Sequence, residues 1–544
     1  MTLRHTGKMP MLRRHDEPGF GERTMIWKIA KKEFLLNLMT FKFAVGAVAC
    51  VLLTTIFMPI LAADYRQRLD LYNQNVTQNE TELRSAIVYR NIRHTIYRPP
   101  AVLSAFSAGL EKQLAGSAKI ELENVPELSV TERGGNPYLP ILAVFDESLI
   151  FKIIISILAL LVAYDVVSGE REQGTLKLML SDPIARHQIV LGKFIAGLIT
   201  LSVPVTITFV IGLVILLSYP MVALSGADWI RIGLMFVASL TFTAAMYQFG
   251  LLFSCLAKRS AISMVLGLFV WILFAIVVPN ASVQLATQIH PLESQEKRDG
   301  RITSIKDDLN DELKTAFNNV KVYFSKSIIT SDGRDAFGGY YAKRRDIYWL
   351  NAEQKLNALT IPIKLKYADK FLDIEQSNLR SFFAQKNLAR TLSLVSPIST
   401  YEDVMAILAG TDMTSFVRFI DQVRAHRNQV IDYIRSKTDG FSSASFFATC
   451  TEKESKEYTE LYVRAHEAKD EQAKAKAEHA LKEWERENPA KSTPLDLQDF
   501  PWFKARSNSA GGLGKAIPDL ATLFLMNVFL FGLCFAAFAR YDVR

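Results

Sequence analysis

Six apolar runs, each long enough to cross a bilayer, constrain this chain more than any other feature of its sequence. A spanning helix needs about 20 mostly apolar residues, at roughly 1.5 Å rise each, to cross a ~30 Å hydrocarbon core. Residues 43–63, 149–167, 189–217, 232–256, 261–279 and 517–539 meet that length. Lys152 sits near one end of the second run, where a long side chain can snorkel outward, and Pro204 predicts a kink in the third. The expected class is an all-α polytopic membrane protein of six transmembrane helices carrying two large, mainly helical insertions with minor β structure.

Basic residues in short flanks resist translocation and therefore set orientation. Arg13, Arg14, Arg23, Lys28, Lys31 and Lys32 precede the first run, and Arg171, Lys177 and Arg186 separate the second from the third. Lys258 and Arg259 separate the fourth from the fifth, and Arg540 and Arg544 follow the sixth. The connection 218–229 has neither Lys nor Arg. With both termini cytoplasmic the runs alternate consistently, which puts segments 64–148 and 280–516 on the extracytoplasmic side of a cell inner membrane. The first 24 residues lack the apolar core of a cleavable signal, and Met25 is an alternative start. Met25 to Leu38 reads as an amphipathic interfacial helix within the cytoplasmic segment 1–42, with Ile26, Ile29, Phe34 and Leu38 opposite Lys28, Lys31 and Lys32.

In the first insertion, Tyr65 to Tyr97 reads as a polar helix ended by Pro99 and Pro100, and Leu103 to Leu114 as a second helix. Short strands are expected at Lys119 to Leu122 and Leu128 to Thr131, before a turn at Gly134, Gly135, Asn136 and Pro137. The second insertion predicts helices at Ile302 to Phe324, Leu365 to Leu394, Thr414 to Ser436 and Glu452 to Asn488. Breaks are expected at Gly338 and Gly339, at Pro362, at Pro397 and between Asp439 and Ser445. The last helix, as a single rod, would extend roughly 50 Å; it serves either as a solvated face of its domain or as a projecting lever.

Composition and motifs exclude several functions. Lys and Arg total 63 against 55 Asp and Glu, a scattered excess of +8 that indicates no nucleic-acid partner. Of the four cysteines, Cys50, Cys255 and Cys534 lie in apolar runs and only Cys450 in a polar region, so no disulfide framework or Cys-rich metal site is expected. Gly514-Lys515 lacks the earlier Gly and the following Ser or Thr of a phosphate loop, with Ser509 and Ala516 in those places. His466-Glu467 would need a second His where Asp470 stands, so no metal is expected. Asn75 and Asn79 fit glycosylation triplets of a kind that chance supplies often. Polar groups inside the runs are sparse: Gln248, Asn527, the pair Thr206 and Thr208, and the pair Thr241 and Thr243. They either line a polar path or hydrogen-bond between helices. No ionisable residue is expected at mid-span, which argues against an internal energy source.

The connection between the second and third runs, 168–188, is the most informative segment. Gly169 lets the chain bend out of the membrane, and Glu170, Arg171 and Glu172 are expected to place charge in water. Thr175 can cap a short helix, 176–180, in which Leu176, Met179 and Leu180 face one way; Pro183 stops it. A short amphipathic helix held between two spans suits force transmission from a soluble partner, or simply closes a loop.

The string from Asp165 to Phe194, DVVSGEREQGTLKLMLSDPIARHQIVLGKF, resembles the signature of ABC-type transport permeases of the type 2, exporter-like family. The order of spans and the short fourth-to-fifth turn agree with that family. The insertions resemble those of a bacterial subgroup, as do Arg98-Pro99-Pro100 and the terminal FARYDVR. The resemblance implies a non-catalytic permease that pairs with a second permease, as a homodimer or a paralogous heterodimer, among membrane lipids. It further implies two cytoplasmic ATP-binding subunits that hold the ATP and Mg²⁺, with no cofactor in this chain. Glu170, Arg171, Glu172, Gly174 and Thr175 would form the contact with the ATPase, beside Leu176, Met179 and Leu180. The work would drive export of an amphiphilic, lipid-linked or peptide cargo, or act mechanically on an extracytoplasmic protein. The competing class is a membrane-anchored receptor or scaffold that never meets an ATPase.

Overall fold

The computed structural model describes residues 20–129, 146–181, 185–219, 222–324, 346–488, 493–505 and 509–540. Arg13, Arg14, the turn at Gly134 to Pro137, Pro183, Gly338, Gly339 and Arg544 lie outside them. The fold is nearly all-α, as expected, with one small sheet. Six helices are long and apolar enough to cross a membrane: Phe41–Arg84, Glu147–Glu172, Arg186–Leu217, Gly226–Leu256, Ser260–Ile289 and Leu513–Ala539. Each contains one of the expected runs.

After α1 (Phe20–Leu38), the first span begins α2 (Phe41–Arg84), a 44-residue helix about 66 Å long, twice the thickness of a hydrocarbon core. Transmembrane and polar segments are therefore one rod. It ends at Arg84 rather than Tyr97, because Arg93–Tyr97 alternates exposed and buried residues and forms strand β1. Strands β2 (Ser117–Glu121) and β3 (Glu127–Ser129) complete an antiparallel sheet in which His94 faces Ile120 and Ile96 faces Ala118. The helix expected at 103–114 is reduced to a 3-10 turn, Val102–Ala105. Gly109 breaks it with φ +46°, and a Cβ there would meet the Thr411 carbonyl at 2.9 Å.

The second span comprises α3 (Glu147–Ile150), a π segment Phe151–Ile155 and α4 (Ser156–Ala163). The hairpin helices α5 (Ser168–Glu172) and α6 (Thr175–Ser181) lead to the third span, α7 (Arg186–Leu217), and then to the fourth, α8 (Gly226–Leu256). The fifth span joins α9 (Ser260–Ile272) to α10 (Val278–Ile289) through a π segment, Leu273–Val277.

In the second insertion, α11 (Gln295–Phe324) packs beside α12 (Ile347–Ser393), which runs through Pro362 without the expected break. Burial of Ile361 and Leu365 in the outer core outweighs the ~3 kcal/mol cost of an interior proline. Next come α13 (Pro397–Ala409), α14 (Met413–Lys437) and α15 (Ala444–Phe447). The expected 50 Å rod is instead two paired helices, α16 (Glu452–Glu467) and α17 (Glu471–Glu487), with Asp470 as the N-cap of the second and Tyr458 packed on Trp484. The sixth span lies in α18 (Ser509–Ala539).

Helix α13 belongs by sequence to the insertion and by packing to the bundle. Its Ile398, Tyr401, Val404, Met405 and Leu408 join the apolar core of the spans. The Tyr401 ring stacks on Phe242 of α8 with centroids 4.4 Å apart, and its hydroxyl lies 3.2 Å from Ser239. Ion pairs surround this wedge: Glu402 with Lys152 at 2.6 Å, and Arg390 with Asp403 at 3.3 Å and with Asp519. Lys152 is thus bonded to the wedge rather than snorkelling. Burial pushes the Asp403 carboxyl up to about 6 against the pull of Arg390.

Candidate coupling site

The hairpin 165–181 is fastened to α2, α7, α8 and α9 by Asp165, Val167, Ser168 and the charged residues of its Gly-Glu-Arg-Glu core. Asp165 ion-pairs with Lys42 of α2 at 2.7 Å. The backbone N–H groups of Val167 and Ser168 donate to Ser254 Oγ of α8 at 2.9 and 3.0 Å. Glu170 pairs with Lys193 of α7 at 2.8 Å, and the same ammonium reaches Glu33 of α1 at 2.9 Å and the Val166 carbonyl at 3.0 Å. Arg171 donates to the Ala257 carbonyl at 2.9 Å, and Glu172 accepts from Ser260 N at 2.9 Å and Oγ at 3.0 Å, capping α9.

These charges were expected to be solvated; Glu172 is exposed, while Glu170 and Arg171 are half-buried and bonded to neighbouring elements. Lys193 is 1% exposed, so its ammonium exists as an ion only because two carboxylates and a carbonyl replace water around it. Lys193 and Glu33 were missed in the sequence. The available signal was spacing: Lys193 falls on the same stripe of α7 as buried Ile189, Val190, Ala196 and Gly197. Helix α1 lies directly on this stripe, close enough that a Cβ on Gly192 would sit 2.8 Å from Ile29 Cγ2.

Gly174, with φ +74° and open space around its Cβ position, turns α5 into α6. Helix α6 starts at Thr175 itself, whose hydroxyl donates to the Glu170 carbonyl at 3.3 Å. Leu176 is fully buried in the bundle core and Met179 and Leu180 pack against it, as their shared face predicted. The opposite face is open: Gln173, Gly174, Thr175 and Lys177 are exposed, and Leu178 is 73% exposed. Leu178 thus stands outward on α6, on the side away from the face that packs into the bundle. At the same end of the bundle Arg186 donates to the Ala539 carbonyl, bringing the end of α18 beside the hairpin.

The polar groups of the spans do not converge. Thr206 is exposed while Thr208, two residues on, is buried and donates to the Pro204 carbonyl at 2.7 Å. Asn527 bridges α18 to the Thr241 carbonyl of α8 at 3.0 Å, an interhelical bond, and Thr241 and Thr243 bond back into their own helix. Gln248 is buried near Cys534, which donates to its carbonyl at 3.4 Å. Among the described residues, no group of three or more His, Cys, Asp or Glu is placed to hold a metal ion.

A family profile described as "ABC-2 family transporter protein" matches residues 27–543. The probable ABC transporter permease protein NosY of Stutzerimonas stutzeri is 35% identical over 134 residues, covering 22% of this chain and 44% of that protein. The same-named protein of Pseudomonas aeruginosa strain PAO1 is 45% identical over 53 residues, covering 10% of this chain and 19% of that protein. The chain thus spans less than half the length of these curated relatives. The profile match over nearly the whole chain and the six spanning helices together establish an integral-membrane permease chain that belongs to the ABC-2 family of transporter proteins.

Proposed function

We propose that this chain is driven by a separate ATP-binding subunit that docks on the exposed face of α6 and delivers its stroke through the hairpin. The single observation that carries the reading is the division of labour in the hairpin. Glu170, Arg171 and Glu172 fasten it to α7, α8 and α9, while Thr175, Lys177 and Leu178 face outward. Two such ATPases, holding ATP and Mg²⁺, would act on this permease and a second one, homologous or identical, in a cell inner membrane. Hairpin and termini would then be cytoplasmic and the insertions extracytoplasmic. A rigid hairpin converts ATPase closure into tilting of the spans.

The output reading favoured by the fold is mechanical work on an extracytoplasmic partner. Helix α2 runs unbroken from span to insertion, and the insertion returns α13 into the bundle core, so a tilt of the spans moves the outer body. Export of an amphiphilic, lipid-linked or peptide cargo is the second reading, supported by the apolar exposed faces of α9 and α18.

The test is Leu178→Asp together with Glu170→Ala/Arg171→Ala. Leu178→Asp should abolish co-purification of the ATP-binding subunit with unchanged thermal stability. The double variant should keep the contact but lower permease-stimulated ATP turnover. If no ATPase co-purifies with the wild-type chain from native membranes, the receptor or scaffold class replaces this reading.

A further inference from the structure

Glu147, the first residue of the second span helix, is fully buried, and among the described residues no group donates a hydrogen bond to either carboxylate oxygen. The backbone of α7 closes directly over it: a Cβ on Gly212 would lie 3.0 and 3.2 Å from the two oxygens. Any larger residue there would press on the carboxylate.

Among the described residues, the cations at this end of the bundle pair with other carboxylates, Arg231 of α8 with Asp228 at 3.4 Å among them. On α2, Arg68 pairs with Asp64 at 3.1 Å, and Lys112 pairs with the same carboxylate at 3.2 Å. Within the second span, Lys152 pairs with Glu402 at 2.6 Å. Next to the wedge α13, Arg390 holds Asp403 and Asp519. The neighbouring Asp146 is acidic and accepts from Ala108 N at 2.7 Å and Leu149 N at 2.9 Å. Tyr65 on α2 and Tyr401 on α13 are neutral phenols, and the half of α7 from Thr208 to Leu217 has no ionisable side chain. An ionised carboxylate in such a place would lose its hydration with nothing to replace it, a heavy desolvation penalty. The neutral acid gives up only its hydrogen bonds to water, a much smaller cost.

We propose that Glu147 is a proton-binding site of the working cycle: it holds a proton in this packed arrangement and releases it when α13 and the spans part at the insertion end. On opening, the carboxyl O–H bond breaks, the proton passes to water as hydronium and the carboxylate becomes hydrated. On closing, the same oxygen takes a proton back. The packed state is therefore favoured by acid on the insertion side and the open state by alkali.

Infrared spectroscopy of the purified chain in lipid tests the first half. The wild type minus Glu147→Gln spectrum at neutral pH should contain the carbonyl stretch of one protonated carboxyl group. A carboxylate stretch in its place overturns the proposal. Hydrogen exchange over residues 397–409 tests the second half. Raising the pH should accelerate exchange in the wild type beyond that in Glu147→Gln, and identical pH dependence overturns the link to opening. Glu147→Leu serves in both measurements should the amide variant fail to fold. Neither readout requires an ATPase, so these outcomes stand apart from the docking reading above.

Discussion

Lys193 is the residue on which the hairpin end of the molecule turns. Its buried ammonium neutralises two carboxylates from different elements, so its removal leaves Glu33 and Glu170 facing each other uncompensated. Lys193→Met should lower stability by about 3–5 kcal/mol, read as a drop in the thermal unfolding midpoint in detergent. Adding Glu33→Gln and Glu170→Gln should restore part of it, because neutral partners need no counter-charge. The charges of the hairpin were legible as charges from the sequence, but their direction was not. A Gly-Glu-Arg-Glu string has the same composition whether it faces solvent or caps a neighbouring helix. Only the arrival of α7, α8 and α9 beside it decides.

At the scale of elements, the informative case is α13. Thirteen residues, Pro397–Ala409, are too few to span a bilayer, and they lie within the segment 280–516 expected outside the membrane. The structure places them in the bundle core, where Tyr401 is fully buried against Phe242. Tyr401→Ala should cost about 3–5 kcal/mol by leaving a ring-sized cavity. It should also raise hydrogen exchange across residues 397–409 while exchange in α6 stays unchanged. Boundaries failed where a local signal competed with packing. Proline did not break α12, because the residues around it are buried. The run 93–97 left the helix because its alternation matched a strand edge. The split between α16 and α17 did have a sequence signal, the N-capping Asp470, which a helix-friendly composition on both sides concealed.

At the scale of the whole molecule, the two insertions build one body. His94 of β1, from the first, and His426 of α14, from the second, share a hydrogen bond of 2.9 Å inside a cage of Phe500, Trp502 and Phe503. Burial lowers both imidazoles from an ordinary 6.5, to about 3 and about 4, with the two rings also disfavouring each other's charge at His94. The unfolded chain therefore binds protons that the folded one refuses. The contribution of the pair is complete above pH 6.5 and is lost as pH falls from there through about 4 and then about 3. Each histidine should remove about 1.4 kcal/mol per pH unit inside that window. Acid unfolding followed by Trp fluorescence should show this dependence, and His94→Phe/His426→Leu should flatten it.

The sequence alone determined the number of spans, the class and the position of the hairpin, because a bilayer imposes one length and one polarity on anything that crosses it. The strands at 117–129 and the shared face of Leu176, Met179 and Leu180 were equally readable, since period and turn chemistry are local. The tertiary structure alone decided which charges are buried, that an insertion helix returns into the bundle, and that Glu147 is closed in with no donor among the described residues. Burial and pairing depend on which distant segments meet, and no window of sequence contains both partners.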